Sequence, residues 1–271
     1  MTCAPRDLLL LEGEFPEFPG DLERYAVRPL PGWAALRERV RSAAPRSIVL
    51  LRAGGGERDA DAVRELIRDT PSVPVVAAVP FARASAAQLR ELLHAGVSEI
   101  ANADGRATLP ALLPSLRQAH ARPLKRRLEE RMPVWVPEDA RTLIRAAAET
   151  VVDGGGREAF AAIFGVYVRT VAARCTEAGL PPPRRLLGWI RVLLAISLLE
   201  EAHRTVLNVA LACGYTDNSS LKRAVENFAG PAAPIAVRQH TFAGAFDAFA
   251  AELRRLRHAG RGRGRSARVM E

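Results

Sequence analysis

Residues 206–225 have the sequence VLNVALACGYTDNSSLKRAV. Ala210 stands four residues before Gly214, and the stretch that follows places Leu221 and Val225 on one face of a helix. A small residue in the first helix lets two helices cross closely, and a glycine accepts the positive φ that the turn between them requires. This stretch therefore predicts a helix-turn-helix and decides the fold of the second half of the chain.

The same pattern occurs earlier in the chain. Ala161 precedes Gly165 as Ala210 precedes Gly214, so the two passages repeat at an offset of 49 residues. The helix after the first glycine carries its inward apolar residues at Val168, Val171 and Cys175. An apolar stretch at 186–199 predicts one long helix between the passages. Two helix-turn-helix units that share a connecting helix are a much stronger indication than one unit alone.

This layout resembles the DNA-binding domain of AraC/XylS-type transcription regulators over residues 140–238. The second unit carries the alanine, the Gly–aromatic pair, the Asp-x-Ser start and the arginine of that family, at Ala210, Gly214, Tyr215, Asp217, Ser219 and Arg223. Upstream, the approach to the connecting helix fits at Gly179, Pro181, Leu187, Arg191 and Ala195. The departures are Leu221 and Val225 in place of a phenylalanine pair, Ala173 in place of an arginine, and an extra residue within 230–238.

The outward faces of the two recognition helices predict the contacts with DNA. The candidate DNA-binding residues are Tyr167, Arg169, Thr170 and Arg174 in the first unit and Asn218, Ser219, Ser220, Lys222, Arg223 and Asn227 in the second. Held by one helix, the two units would enter major-groove segments about 34 Å apart. The alternative for the arginines is an ion pair within the helix, from Arg223 to Glu226 and from Arg174 to Glu177.

The charge of the chain is concentrated in its second half. Lys and Arg number 39 against 30 Asp and Glu, which gives a formal charge of +9. Residues 1–120 hold 15 Arg and 15 acidic residues, whereas residues 121–271 hold 24 basic and 15 acidic residues. Only Lys125 and Lys222 are lysines, so the basic half is an arginine surface suited to phosphates and guanine edges. This asymmetry favours a neutral regulatory half joined to a nucleic-acid-binding half, with a solvated basic face that has no partner as the alternative.

The first half predicts a doubly wound α/β domain with a parallel sheet over residues 1–120. Short apolar runs bounded by Pro, Gly or charged residues predict buried strands at Leu8–Leu11, Ser47–Leu51, Val73–Val79 and Val97–Ala101. Helical periods begin near Asp59, Ser85 and Thr108. The loop Gly54–Gly56 lacks the residues of a phosphate-binding motif and predicts a flexible turn.

Part of this domain, Ser47–Leu116, resembles the response-regulator receiver domain, most clearly at Val73–Ala77 and Leu92–Ile100. The resemblance places Arg52 at the phospho-accepting position, an apolar residue near Val79 at the switch position, and Asn102 at the lysine position.

Glu12 and Glu14 stand where the acidic pair of that family lies. An arginine cannot accept a phosphoryl group and would repel a divalent metal. We therefore expect a receiver-like domain without phosphotransfer, used for homodimerisation or for input from a signalling protein or small-molecule effector.

The expected organisation is a regulatory domain at 1–120, an Arg- and Pro-bearing linker at 121–139, the tandem helix-turn-helix domain at 140–258 and a basic disordered tail at 259–271. The end of the third segment carries one apolar helical stripe, at Phe242, Phe246, Phe249, Leu253 and Leu256. Two heptads are too few for a coiled coil, so this stripe predicts packing on the domain's own surface.

Other classes of protein are disfavoured by the composition. The longest apolar stretches fall well short of the roughly 18 residues that a membrane span needs, and the N-terminus lacks the layout of a secretion signal. Three widely spaced cysteines and five isolated histidines predict neither a disulfide framework nor a metal site. No nucleophile has an adjacent base, so no enzyme activity and no cofactor are expected.

The sequence thus predicts a cytoplasmic, bacterial-type transcription regulator that binds double-stranded DNA in a sequence-specific way. The alternative is a protein-interaction adaptor with vestigial helix-turn-helix units. Ala173 and the missing phenylalanines favour this alternative.

Overall fold

The computed structural model describes residues 6–12, 15, 25–42, 47–53, 57–104, 109–230 and 240–267, without the side chains of 57–60, 109–110 and 260–267. The chain divides into two compact units, residues 1–123 with Glu201–Arg204 and residues 124–200 with 205–271. Glu201–Arg204 belongs to the first unit because Glu201 accepts a hydrogen bond of 2.8 Å from the backbone N–H of Ser72 and pairs with Arg204 at 2.5 Å.

The first unit is an α/β domain built on a five-stranded parallel sheet with the order β2-β1-β3-β4-β5. Its elements are β1 (Arg6–Leu11), β2 (Tyr25–Leu30), α1 (Trp33–Ser42), β3 (Ile48–Arg52), α2 (Glu57–Asp69), β4 (Val75–Val79), α3 (Ala86–Ala95), β5 (Glu99–Asn102) and the first part of α4 (Leu109–Arg131).

Helices cover both faces of this sheet. Successive residues of a strand point to opposite faces, so each strand contributes side chains to two separate cores. Leu9 and Val49 belong to the core formed with α1, α2 and α3. Leu8 and Ile48 belong to the core formed with α4. The expected doubly wound parallel arrangement is therefore confirmed for the described residues.

Two elements of the first unit, β2 and α1, were not predicted. The strand β2 lies at the edge of the sheet and contains Arg28 and Pro29, which an edge strand tolerates because one side of its backbone needs no ladder partner. The helix α1 buries completely only Leu36 and Val40, too few positions for a recognisable helical period.

The first part of the predicted linker, 121–131, lies in α4, which continues to Arg131 with Pro114 and Pro123 inside it. Leu124 and Leu128, four residues apart, are buried in the core of the second unit. Burial of this stripe outweighs the local cost of the prolines.

The described residues of the second unit form helices joined by turns and loops and no strand, as predicted. After the second part of α4 it contains α5 (Glu138–Val152), α6 (Arg157–Ile163), α7 (Val168–Glu177), α8 (Pro183–Leu199), α9 (Val206–Ala212), α10 (Asn218–Ala229) and α11 (Phe242–Ala267). The central element is α8, which contacts α5, α6, α7, α9, α10 and α11.

Helix α11 packs within its own unit, as its apolar stripe predicted. Phe242, Phe246, Phe249 and Leu253 are buried in the core of the second unit. Residues 259–267 of the predicted tail are part of α11, which continues to Ala267. A helix already anchored by packing extends at low cost, since propagation avoids the unfavourable nucleation step.

Within the described ranges, no single helix is long and apolar enough to cross a membrane; the bent pair α6 and α7 meets that test by length and composition only.

Candidate nucleic-acid interface

The first predicted helix-turn-helix is formed by α6 and α7, between which the chain bends by 76°. Ala161 is buried at the crossing, and Gly165 adopts a φ of +63° in the turn. The backbone N–H of Val166 donates to the carbonyl of Ala161 at 3.2 Å. The turn therefore contains the small residue and the glycine at the positions that the sequence pattern predicts.

The second unit, α9 and α10, contains the same turn. Gly214 adopts a φ of +81°, and Ala210 is fully buried. The backbone N–H of Tyr215 donates to the carbonyl of Ala210 at 2.9 Å, the bond found 49 residues earlier between Val166 and Ala161. The sequence repeat is therefore a repeat of backbone geometry.

The two units differ at the start of the second helix. The residue before α7 is Tyr167, two positions after Gly165, whereas the residue before α10 is Asp217, three positions after Gly214. The buried positions of the second helices accordingly pair at an offset of 50 residues. These pairs are Val171 with Leu221 and Cys175 with Val225.

Asp217 closes the start of α10 with a capping box. Its Oδ1 accepts the backbone N–H of Ser220 at 2.7 Å, and the Ser220 hydroxyl accepts the backbone N–H of Asp217 at 3.2 Å. The hydrogen bond from Ser220 lowers the pKa of Asp217. Ser220, predicted to contact DNA, thus has its hydroxyl committed to the cap of the helix.

The other predicted residues of α10 lie on its outer face. Asn218, Ser219, Arg223 and Asn227 are exposed, whereas Lys222 is half-buried, with its Nζ 3.8 Å from Glu226. The expected alternative of an Arg223–Glu226 pair does not occur among the described residues, because Lys222 faces Glu226 instead. Arg223 therefore presents an uncompensated positive charge.

Two aromatic residues that precede α7 lie beside the arginines of its outer face. Tyr167 is 76% exposed, and the guanidinium of Arg169 lies 5.7 Å from the centre of its ring. Arg174 is exposed and lies 5.9 Å from the centre of the Phe164 ring rather than pairing with Glu177. Thr170 is half-buried. Stacking on a ring leaves the N–H groups at the edge of a guanidinium able to donate outward.

Ion pairing separates the arginines of the second unit into two groups. On α4 and α5, Arg127 pairs with Glu200 at 2.5 Å and Arg145 pairs with Glu129 at 2.6 Å. On the two second helices of the turn units, three arginines have no ion pair among the described residues: Arg169, Arg174 and Arg223. Both predicted recognition helices therefore carry arginine charge that no carboxylate of the described residues compensates.

A groove beside α10 was missed in the sequence. Its volume is about 520 Å³, and it lies between the start of α8 and the flank of α10. Its lining includes Arg184, Gly188, Arg191, Tyr215 and Phe228. Arg184, Gly188 and Arg191 are spaced at i, i+4 and i+7, which places them on one face of α8. This spacing is the signal in the sequence that could have indicated the groove.

In the α/β unit, the residues aligned by the receiver resemblance end three neighbouring strands. Arg52 ends β3, Val79 ends β4 and Asn102 ends β5. Arg52 is exposed, and its guanidinium lies 6.0 Å from the centre of the Phe15 ring. Glu12 follows β1, while Glu14 and Gly54–Gly56 lie outside the described residues.

No protein-family model matches the chain, and no curated protein matches it either.

Proposed function

We propose that this chain is a sequence-specific DNA-binding transcription regulator. Its second unit would bind duplex DNA through two helix-turn-helix units on the shared helix α8, in the manner of the AraC/XylS-type domain that it resembles. Its first unit would be a receiver-like domain without phosphotransfer, serving homodimerisation or input from a signalling protein or small-molecule effector.

The observation that carries this proposal is the repeated turn with unpaired arginines beyond it. Gly165 and Gly214 have the same left-handed backbone and the same closing hydrogen bond. Each turn is followed by a helix whose exposed face carries arginine without a carboxylate partner among the described residues. A guanidinium in that position can donate two hydrogen bonds to a phosphate or to the O6 and N7 atoms of guanine.

The α/β unit supports the second part of the proposal. The order β2-β1-β3-β4-β5 is that of the flavodoxin-like doubly wound sheets, to which receiver domains also conform. Arg52 ends the central strand where a phospho-accepting carboxylate would be required. This arrangement supports a regulatory unit that acts through binding rather than through phosphorylation.

The test is selection of bound duplexes from a random DNA pool at two salt concentrations. We expect an enriched motif with two half-sites about one helical turn apart, because both recognition helices are held by α8. Replacing Arg169, Arg174 and Arg223 together by alanine should abolish the enrichment. The control is Arg126→Ala/Arg131→Ala, which removes two exposed charges from α4. Binding that vanishes as salt rises and enriches no motif would contradict the proposal.

A second candidate is an adaptor that binds another protein. The observation in its favour is a set of apolar side chains exposed on the first helices of the two units, Ile163, Leu207 and Leu211. Retention on heparin, together with no shift of any duplex at physiological salt, would favour this candidate.

A further inference from the structure

The groove between α8 and α10 has an apolar floor made by one close contact. The ring of Phe228 lies directly on Gly188, where a Cβ atom would meet its Cζ at 2.5 Å. The same ring packs edge-on against Trp189, with ring centres 5.1 Å apart. Helices α8 and α10 are thus held close together along the groove.

Two arginines border this floor without a carboxylate partner. Arg184 is exposed and Arg191 is half-buried, and neither forms an ion pair among the described residues. They lie seven residues apart on α8, or about 10 Å along its axis at about 1.5 Å per residue. Their neighbour Arg185 is different, because it is paired with Glu252 at 2.5 Å. Uncompensated positive charge therefore lies on both sides of Gly188 along the α8 wall of the groove.

Tyr215 adds a neutral donor. It lines the groove, and its hydroxyl has no hydrogen-bond partner among the described residues. Burial raises the pKa of Tyr215 well above its usual range, so its hydroxyl keeps its proton at every physiological pH. The groove thus offers two guanidinium groups and one hydroxyl donor, a combination suited to a phosphate.

The position of the groove on α10 indicates where that phosphate comes from. Ala224 and Phe228 line the groove, and the residues directly before them, Arg223 and Asn227, lie on the outward face. A helix is about 10–12 Å wide, and the major groove of DNA is about 12 Å wide. A helix that fills the major groove therefore has a sugar–phosphate strand along each flank.

We propose that Arg184, Arg191 and the Tyr215 hydroxyl bind the backbone of the DNA strand that borders the major groove occupied by α10. This inference rests on the proposed function and adds to it a contact made by the connecting helix. Such contacts fix the register and orientation of the recognition helix and carry no base preference of their own.

The test measures the salt dependence of binding to the selected duplex and to an unrelated duplex. The variant is Arg184→Gln/Arg191→Gln, and the matched control is Arg126→Gln/Arg131→Gln, which removes the same formal charge from α4. Each lost phosphate contact reduces the slope of log K against log salt by about 0.9. We expect a reduction of about 1.8 for the variant, with equal loss of affinity for both duplexes, and a much smaller change for the control.

A third variant, Tyr215→Phe, keeps the ring and removes only the hydroxyl. We expect it to weaken binding about two- to tenfold on both duplexes. Far-ultraviolet circular dichroism and thermal unfolding check that all variants remain folded.

Three outcomes would count against the proposal. Equal slopes for the variant and its control, with wild-type protein still selecting a motif, would overturn this inference alone. Failure of wild-type protein to bind any duplex would overturn the proposed function and this inference with it. Inorganic phosphate that competes at constant ionic strength with wild-type protein but not with the variant would assign the groove to a free anion instead.

Discussion

The indole Nε1 of Trp189 donates a hydrogen bond of 2.9 Å to Oε2 of Glu252, 63 residues further along the chain. Glu252 also accepts two hydrogen bonds from Arg185, at 2.5 and 2.6 Å. Both donors lie on α8 and the acceptor lies on α11. This cluster therefore ties the shared helix of the two turn units to the C-terminal helix.

Glu252 should make the stability of the second unit sensitive to acid. Burial acts to raise the pKa of Glu252, but the hydrogen bonds from Arg185 and Trp189 outweigh it and hold the pKa below its usual range. A lowered pKa stabilises the fold above the unfolded value of about 4.3, and this contribution is lost as the pH falls through the folded value. We expect Glu252→Gln to reduce the free energy of unfolding by about 1–2 kcal/mol at pH 7 and by less below about pH 4.

Urea unfolding at several pH values, followed by tryptophan fluorescence, measures this difference. The control is Asp247→Asn, an exposed position on the same helix. If the difference in free energy of unfolding between wild type and Glu252→Gln stays constant from pH 7 to pH 3, the stabilising role of the ionised Glu252 is contradicted.

Gly188 should not tolerate a side chain. A Cβ atom there would lie 2.5 Å from Cζ of Phe228, so the ring or α10 must shift. We expect Gly188→Ala to lower the free energy of unfolding by about 1–3 kcal/mol. The added change Phe228→Leu should recover part of this loss, which a double-mutant cycle would detect as coupling. Strictly additive effects of the two changes on the free energy of unfolding would show that the contact between Gly188 and Phe228 is not the cause of the loss.

The turn glycines are required for their backbone and not for space. Gly165 and Gly214 have positive φ angles, and a Cβ atom at either position would meet nothing within 4 Å. We expect alanine at each position to cost about 1–2 kcal/mol, the penalty of the left-handed conformation. Gly244, inside α11, gives the contrast, because Gly244→Ala should stabilise the helix by up to about 1 kcal/mol. If thermal unfolding shows that Gly244→Ala destabilises the protein as much as the two turn variants do, this explanation is wrong.

The cysteines of the second unit should report on its unfolding. Cys175 and Cys213 are buried, and burial raises the pKa of Cys175 to about 11. Because the thiolate is the reactive form, we expect iodoacetamide at pH 8 to leave both native residues unmodified and to modify both in urea. Peptide mass mapping distinguishes them from Cys3, which lies outside the described residues. Rapid modification of Cys175 in the native protein would show that α7 does not pack as described.

The two basic residues of α10 should contribute unequally to DNA binding. Lys222 faces Glu226 at 3.8 Å, whereas Arg223 has no carboxylate partner among the described residues. We expect Arg223→Ala to weaken binding to the selected duplex about 5- to 100-fold, the range of one bidentate base contact, and Lys222→Ala to have a smaller effect. Titration at physiological salt measures both, with Arg126→Ala as the control. Wild-type affinity in Arg223→Ala would remove this residue from the interface.

Several features could be predicted from local sequence because their causes are local. The left-handed turns need a glycine wherever they occur, so Gly165 and Gly214 were identifiable without a structure. The buried strands β1, β3 and β4 need continuous apolar residues between two helical layers, so they were identifiable as well. The helical character of the second half follows from the same kind of periodicity.

Other features were decided by the tertiary structure alone. Pro29 is compatible with a strand only because β2 lies at the edge of the sheet, and an edge position depends on the order of all five strands. Likewise, Pro123 stays within a helix only because Leu124 and Leu128 are buried in another part of the fold.

The features of the candidate interface are likewise of two kinds, those that follow from local sequence and those that depend on the tertiary structure. The positions of its helices follow from the sequence, but which arginine carries free charge depends on carboxylates that are distant in sequence, such as Glu200 beside Arg127. The groove between Arg184 and Arg191 exists because Phe228, on another helix, packs on Gly188. Backbone conformation is determined by neighbouring residues, whereas charge compensation and surface shape are determined by residues that meet only when the chain has folded.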